Sequence, residues 1–517
     1  MGTLSLAMVM IAAIPLIYVL HNSLLLSAAQ WAGLWTSRLP QLLTNTLSLA
    51  ICVAIGCLLL GLPSAFFLAR RRFPGKTLAV WLMVLPLAIP TYVFAHIYTW
   101  MLDNRGWLGQ LWHTLFGAQS TAPNIYSLTG ATATLSMATF SYVFLLAYGA
   151  LQRSNQSLEE AARMQGYSRW QTTLYVTLPM LRPALAAALA VVILHVVSDF
   201  GAVSMLRFQT FTLAIYSQMS GRFDYQGAAG LSLVLVVLSL CFLILERFFR
   251  QRQRYYAASA ARMVRPKTAT PGELAIIWSW IALLSLFTLG LPVAWMLSWT
   301  WDALQHNGLD DRFLGYVSNS VTVAVTAGTV AIVAAFPVAF YHNRKHSLLS
   351  QSHLQLASIG FVLPGPVIAL GILTFILVQI PDLYVSGGIT MLALALVIRF
   401  LPLAIQSQDA SLQQLTPSIE QAGRIFGAGP LSNIWRVILP VIRGGMTTAF
   451  VLVFIDALKE LPATLLLRPT GFDTLPVRIW IEASEEMLEH AAPAALMLVL
   501  ATLPALWIMM RETRHRK

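Results

Sequence analysis

The chain reads as long apolar runs separated by short polar stretches. An α-helix needs about 20 mostly apolar residues to cross a bilayer. Twelve runs meet that need: 3–20, 43–69, 77–101, 128–150, 184–206, 227–246, 274–299, 317–341, 354–379, 387–405, 444–467 and 490–510. A membrane barrel would instead show ~10-residue segments of alternating polarity. Leu231–Leu245 is apolar on every face and too long for such a strand. The pattern predicts an all-α polytopic membrane protein of about twelve transmembrane helices.

Composition agrees. Of 517 residues, 57% are hydrophobic and only 10% charged, where a soluble domain carries roughly 25% charged residues. Too few charges remain to solvate soluble domains of this length, which excludes most soluble enzymes. The net charge of +12 could suggest nucleic acid, but such proteins gather Lys and Arg on a polar face. Here they punctuate apolar runs, so no nucleic-acid partner is expected and the bilayer is the surrounding medium. Most of the 33 Lys and Arg fall in alternate loops, including Arg70–Arg72, Arg163, Arg344, Arg424 and Arg511. Basic loops stay on the cytoplasmic side, so both termini are expected there. The first run has no basic residue before it, and Ser27-Ala28-Ala29 faintly resembles a signal-peptide cleavage site. Its removal would leave an odd number of spans, so it is kept as a span. Cys52, Cys57 and Cys241 all lie in apolar runs without CxxC or zinc spacing. They are expected to be small buried residues, with neither disulfide nor metal site.

The chain also repeats itself. Asn45-Thr46-Leu47-Ser48-Leu49-Ala50 returns as Asn319-Ser320-Val321-Thr322-Val323-Ala324, and the same register pairs Pro63 with Pro337 and Arg70 with Arg344. A second register pairs Glu159 with Glu420, Gly166 with Gly427, Leu178-Pro179 with Leu439-Pro440, and Leu206-Arg207 with Leu467-Arg468. Six spans per half in the same orientation make parallel repeats, 1–255 and 256–517, with a pathway expected between them. The basic stretch Arg247–Lys267 is the linker. Its charge suffices to hold it in the cytoplasm; contact with lipid headgroups is the other reading.

The loops 151–183 and 406–443 are longer than a turn between helices requires. Each reads as a short amphipathic helix, a glycine, a second short helix and then Leu-Pro at the next span. Glu159 and Arg163 stand at the i,i+4 spacing of a helical ion pair. Gly166 and Gly427 supply the turn, and the prolines suit a first helical turn. A surface helix of this kind suits docking into another protein's groove.

Glu159-Glu160-Ala161-Ala162 followed by Gly166 resembles the EAA motif of ABC-importer permeases. The second copy, Glu420-Gln421-Ala422-Gly423 followed by Gly427, departs at Gly423. The resemblance implies two MetI-like six-helix repeats and assigns ATPase coupling to Glu159, Ala161, Gly166, Glu420, Ala422 and Gly427. It further implies two copies of a separate ATP-binding subunit, a periplasmic substrate-binding protein and a bacterial inner-membrane location. The stretch Lys459–Pro469, with Gly471-Phe472-Asp473-Thr474-Leu475 and Asp199-Phe200-Gly201-Ala202 in the first half, looks like the fused permeases of ferric-iron importers. Fused permeases for thiamine, sugar phosphates and phosphonates are similar in layout. No Walker phosphate loop occurs, so no enzyme activity, catalytic residue or bound cofactor is expected, and ATP is used by the partner.

Ionisable residues inside runs complete the reading. Asp199 lies in the fifth run, four residues after His195; Asp456, Lys459 and Glu460 lie in the eleventh at a spacing that shares one helix face. Such groups are costly in a membrane unless paired or facing water. They are expected to line the substrate pathway or gate, or to lock helix packing by ion pairing. A secondary transporter working without an ATPase is the rival class, but it would not need the two docking loops.

Overall fold

The computed structural model describes residues 1–103, 106–117, 120, 122–154, 156–251, 266–306, 308–345, 347–386, 389–415, 423, 425 and 429–515. Among these, ten helices are long and apolar enough to cross a bilayer, and the bent pair Lys76–Ala88 and Thr91–Leu102 makes an eleventh. The shorter apolar helix Gly365–Gln379 occupies the ninth run. Each of the twelve runs therefore carries its helix.

Four runs read as continuous are broken. The third bends by 91° between Ala88 and Thr91, where Pro90 is extended at φ −61°, ψ 150°. The ninth divides into Leu348–Ala357, a short turn Ile359–Phe361 and Gly365–Gln379, with Pro364 at φ −61°, ψ 152°. Proline offers no N–H to continue the preceding helix and disfavours helical geometry just before it. In the fifth, the helix ends at Ser198 and restarts as Gly201–Met205. In the eleventh it ends at Leu458 and restarts as Pro462–Leu467.

The fifth and eleventh helices also begin early, as Arg169–Ser198 and Pro430–Leu458, of 30 and 29 residues. At 1.5 Å per residue each is about 45 Å long, against a hydrocarbon core of about 30 Å, so each can project beyond it. Both carry a wide turn at matching places. The N–H of Leu178 reaches back to the carbonyl of Thr173, and that of Leu439 to Ile434, five residues in each case. The prolines that follow, Pro179 and Pro440, withdraw one donor from the ladder, and a π turn takes up the slack.

The chain forms two compact units that interleave its halves. The first comprises Met1–Trp35, Ala214–Val236 and Asp302–Lys517. In it the first span, Gly2–Leu24, packs on Gly365–Gln379, Leu348–Ala357 and Phe313–Arg344. Pro15 approaches so closely that a Cβ on Gly371 would stand 2.4 Å from its Cα. The second unit comprises Thr36–Leu213 and Val237–Trp301. There the opening helix of the second half, Pro271–Ser285, packs on Leu39–Arg70 and Lys76–Val84. Each unit thus holds a first span from the other half of the sequence.

Small and hydroxyl residues close the helix contacts, as expected where lipid removes the hydrophobic drive for helix association. Gly61 of the second span lies against the backbone of Phe140 and Phe144 in the fourth. Beside it the Cys57 sulfur is 3.2 Å from Thr139 Oγ1. Gln408 Nε2 donates to the Ile332 carbonyl at 2.9 Å in the first unit. The buried role expected of all three cysteines holds for Cys57; Cys52 is half-buried and Cys241 exposed. Past the linker, Lys267–Thr268 pairs in parallel with Arg71–Arg72. Arg71 then grips Glu273 through two hydrogen bonds, 2.6 and 3.1 Å.

Candidate functional site

In each unit two helix breaks meet around a carboxylate. Backbone groups freed within a membrane must find partners in protein or in a wet cavity. Asp199 supplies them in the second unit: its Oδ1 accepts from the N–H of Ala202 at 2.8 Å and of Val203 at 3.4 Å. Its Oδ2 accepts from the hydroxyl of Thr91, the first residue beyond the break in the third span. Thr212 Oγ1 donates to the Asp199 carbonyl at 2.6 Å.

Glu460 repeats the arrangement in the first unit. Its two carboxylate oxygens accept from the N–H groups of Ala463 and Thr464, both at 3.1 Å. The counterpart of Thr91 is Gly365, where the carboxylate and a guanidinium take up the space a side chain would need: a Cβ would lie 2.7 Å from Glu460 Oε1 and 2.3 Å from Arg399 Nη1, and both would have to shift to admit it. Arg399 Nη1 stands 3.6 Å from Glu460 Oε1, with the acid only 2% and the arginine 18% exposed. In the register that aligns Asp199 with Glu460, Arg399 corresponds to Ala138. The two crossings therefore share their geometry and differ by a cation.

The expectation that Asp456, Lys459 and Glu460 share a helix face is overturned, because the helix ends at Leu458 and Glu460 turns to cap the next one. Asp456 instead pairs with Lys459 at 3.9 Å, and 40% of its side chain remains open. The matching residue in the first repeat is His195, half-buried with its ring 5.7 Å from that of Tyr142.

The repeated Asn-Thr/Ser pair has one task in both halves. Asn45 Nδ2 donates to the Gln209 carbonyl and Asn319 Nδ2 to that of Asp473, each at 2.9 Å. Thr46 and Ser320 accept from the N–H of Phe211 and Leu475, at 3.4 and 2.7 Å. These bonds tie the segment that follows each fifth-span break to the neighbouring helix.

The first long loop folds as helix Gln156–Met164, a glycine turn, and the start of the long helix at Arg169. Gly166 sits at φ +91°; Gly166 N–H donates to the Arg163 carbonyl and Tyr167 N–H to that of Ala162, closing the helix end. Ser168 then caps the next helix in a reciprocal box with Gln171. Glu159 and Ala162 turn inward, whereas Ala161 is exposed. Glu159 is bound by Arg70 and Thr177, not by the Arg163 of the i,i+4 reading. Outside lie Met164, 89% exposed, with Trp170, Leu174 and Tyr175. Ile425, 82% exposed, and Leu431 and Trp435 stand at the positions matching Met164, Trp170 and Leu174. Glu420, Ala422 and Gly427 lie outside the described residues.

The Gly166 turn is open to test. Space around it is free, so Gly166→Val adds no clash, but it forces a β-branched residue into left-handed backbone at a cost of about 1–2 kcal/mol. Uptake by cells carrying it is expected to fall while the chain still accumulates in membranes; parental uptake would show that the turn's geometry is immaterial.

Sequence reading missed Arg399, a single charge in the otherwise apolar run 390–405, which is signal enough to have found it. It also missed Thr91 and Thr177, which no spacing distinguishes from other threonines.

Two repeated crossings built on broken spans, with exposed apolar residues at matching places ahead of each half's fifth span, are the features of the membrane-embedded subunit of a transporter. The family model described as "binding-protein-dependent transport system inner membrane component" matches residues 58–255 and again 327–511. The chain belongs to that family. The Fe(3+)-transport system permease protein FbpB 2 of Haemophilus influenzae is 32% identical over 472 residues, covering 90% of this chain and 89% of that protein. The putative ferric transport system permease protein FbpB 1 of the same organism is 26% identical, over 86% of this chain and 73% of its own length. The sulfate transport system permease protein CysT of Escherichia coli is 30% identical, over 47% of this chain and 88% of its own.

Proposed function

We propose that this chain forms the translocation pathway of an importer for ferric iron, driven by a separate ATP-hydrolysing subunit. The observation carrying the substrate is that similarity to a ferric permease runs through both repeats and nearly the whole of each chain. Similarity to the sulfate permease covers about half of this one.

In this reading both termini and the two long loops lie on the cytoplasmic side of a bacterial inner membrane, which the bias of Lys and Arg toward those loops supports. Two copies of the ATPase subunit dock there, one on each loop. The paired exposed apolar residues Met164 and Ile425, Trp170 and Leu431, Leu174 and Trp435 support this reading. Apolar side chains presented outside the spans, twice and in register, suit a protein groove. A periplasmic binding protein delivers the ion at the opposite mouth.

Broken spans mark the pathway, since interrupted helices are tolerated where they line a polar passage. Asp199 and Glu460 hold the breaks in shape rather than offering free charge. Asp456, half-open beside Lys459, is the carboxylate with capacity to meet a cation, and oxygen ligands suit a hard metal ion. ATP-driven closure of the partner subunits moves the loops and alternates access at the breaks.

The test is ATP hydrolysis by the complete complex in vesicles, with binding protein offered ferric iron, thiamine or a sugar phosphate. Ferric iron alone is expected to stimulate hydrolysis and to accumulate inside. Stimulation by another solute would reassign the substrate. Uptake driven by an ion gradient without ATP would make the chain a secondary transporter.

A further inference from the structure

The first acid of the EAA loop faces the wrong way to be a docking contact. Glu159 is on the inward side of helix Gln156–Met164, its side chain 11% exposed. Three elements converge on it. Arg70, the last residue of the second span's helix, donates from Nη2 to Glu159 Oε1. The same nitrogen lies 3.3 Å from Ser154 Oγ, just past the end of the fourth span's helix. Thr177 Oγ1, at the end of the π turn that opens the fifth span, donates to the same Glu159 oxygen at 3.0 Å. Arg70 is 15% exposed, and its Nη1 is buried without a hydrogen-bond partner among the described residues.

We propose that Arg70 and Thr177 are positioning residues that make Glu159 an inward joint, passing displacement of the coupling helix to the second, fourth and fifth spans. The inference rests on the docking of the ATPase to loop 151–183 and adds how motion leaves that loop. A loop joined to its spans only through the chain on either side could yield without moving them. A desolvated ion pair with two hydroxyl partners cannot slip without leaving charge unpaired in a poorly hydrated place. The wide turn at Thr173–Thr177 lies directly on this line. Its loosened helical bonding lets the start of the fifth span follow the joint while Pro179 and the helix beyond it stay intact. At the far end of that span stands the Asp199 crossing, so a shift delivered at Thr177 has a continuous helix, 178–198, along which to reach the break.

Purely structural stabilisation is the competing account, and the ratio of transport to hydrolysis separates the two. Arg70→Ala, Thr177→Val and Glu159→Gln are compared with the parent as complete complexes with ATPase subunit and binding protein. Four quantities are read: ATPase subunit retained on purification, basal hydrolysis, stimulated hydrolysis, and labelled ferric iron taken up per ATP. Arg70→Ala and Thr177→Val are expected to retain the ATPase subunit and its basal rate while uptake per ATP falls about tenfold, within the usual range of coupling between sites; Glu159→Gln is read for uptake per ATP alone and is expected to fall as far. Arg70→Lys, and the exchange Arg70→Glu with Glu159→Arg, are expected to recover part of it. Unchanged uptake per ATP in Thr177→Val and Arg70→Ala overturns the joint, as does loss of uptake only in proportion to lost ATPase subunit. Should Arg70→Ala fail to accumulate, Thr177→Val and Glu159→Gln decide by the same criterion. An unaltered chain that retains no ATPase subunit overturns the docking reading itself, a different result from either.

Discussion

Arg399→Ala is expected to leave the chain barely able to hold its fold. The substitution strands Glu460, 2% exposed, beside the empty place of its cation. Removing one partner of a buried ion pair typically costs about 3–5 kcal/mol, a large share of the stability of most domains. Glu460 retains its bonds from Ala463 and Thr464, so the loss falls on the charge rather than on the cap. Ala138 already occupies the matching position of the first repeat, where Asp199 is served by the Thr91 hydroxyl; removing a cation that this repeat never had is not available there. The double variant Arg399→Met with Glu460→Gln removes both charges and keeps the shape, and should recover most of the lost stability. The melting midpoint of the purified chain in detergent is the measurement. A midpoint for Arg399→Ala equal to the parent's would show that the pair is solvated and contributes little.

The second large effect is steric. At Gly371 a Cβ would meet Pro15 Cα at 2.4 Å and Pro15 O at 2.5 Å, both backbone atoms. A side-chain clash can relax by rotation, but two backbones must move apart. Gly371→Leu should therefore lift the first span from its seat, at a cost of about 3 kcal/mol or more. Tyr18 and Phe375, whose rings lie 5.3 Å apart on the same two helices, report the result. With the native cysteines replaced, Tyr18→Cys and Phe375→Cys should cross-link readily in the parent and poorly beside Gly371→Leu. Equal cross-linking would show that the helices keep their spacing by another route.

Hydropathy made the spans legible because a bilayer imposes a length, and length survives averaging over a window. The breaks did not survive it. Ile89-Pro90-Thr91 and Val362-Leu363-Pro364 are apolar enough to pass as span, and only the missing proline donor marks them. Asp199 and Glu460 were legible as costly and as equivalent. Their role as caps was not, since i+3 spacing on an unbroken helix looks the same as a helix that ends. The loop motif was readable to its glycine, whose turn needs φ above zero, but not to the inward turn of Glu159. That depends on Arg70, which is 89 residues earlier in the chain. The seating of the first span is encoded by absence of bulk at Gly371, a signal with meaning only once its neighbour is known.

That seating sets a timetable for biogenesis. Pro15 is synthesised roughly 350 residues before Gly371; at about 5–20 residues per second, the first span waits on the order of half a minute for its place. It is suited to wait. In its most apolar window only 28% of residues are buried by protein, so lipid alone can shelter it meanwhile. Ser5, which bonds His353 at 3.0 Å in the finished protein, is a small polar exception. Ribosome, membrane and nascent chain must keep this helix close by until Gly365–Gln379 arrives, so a chain released halfway has lost a partner that has yet to be made.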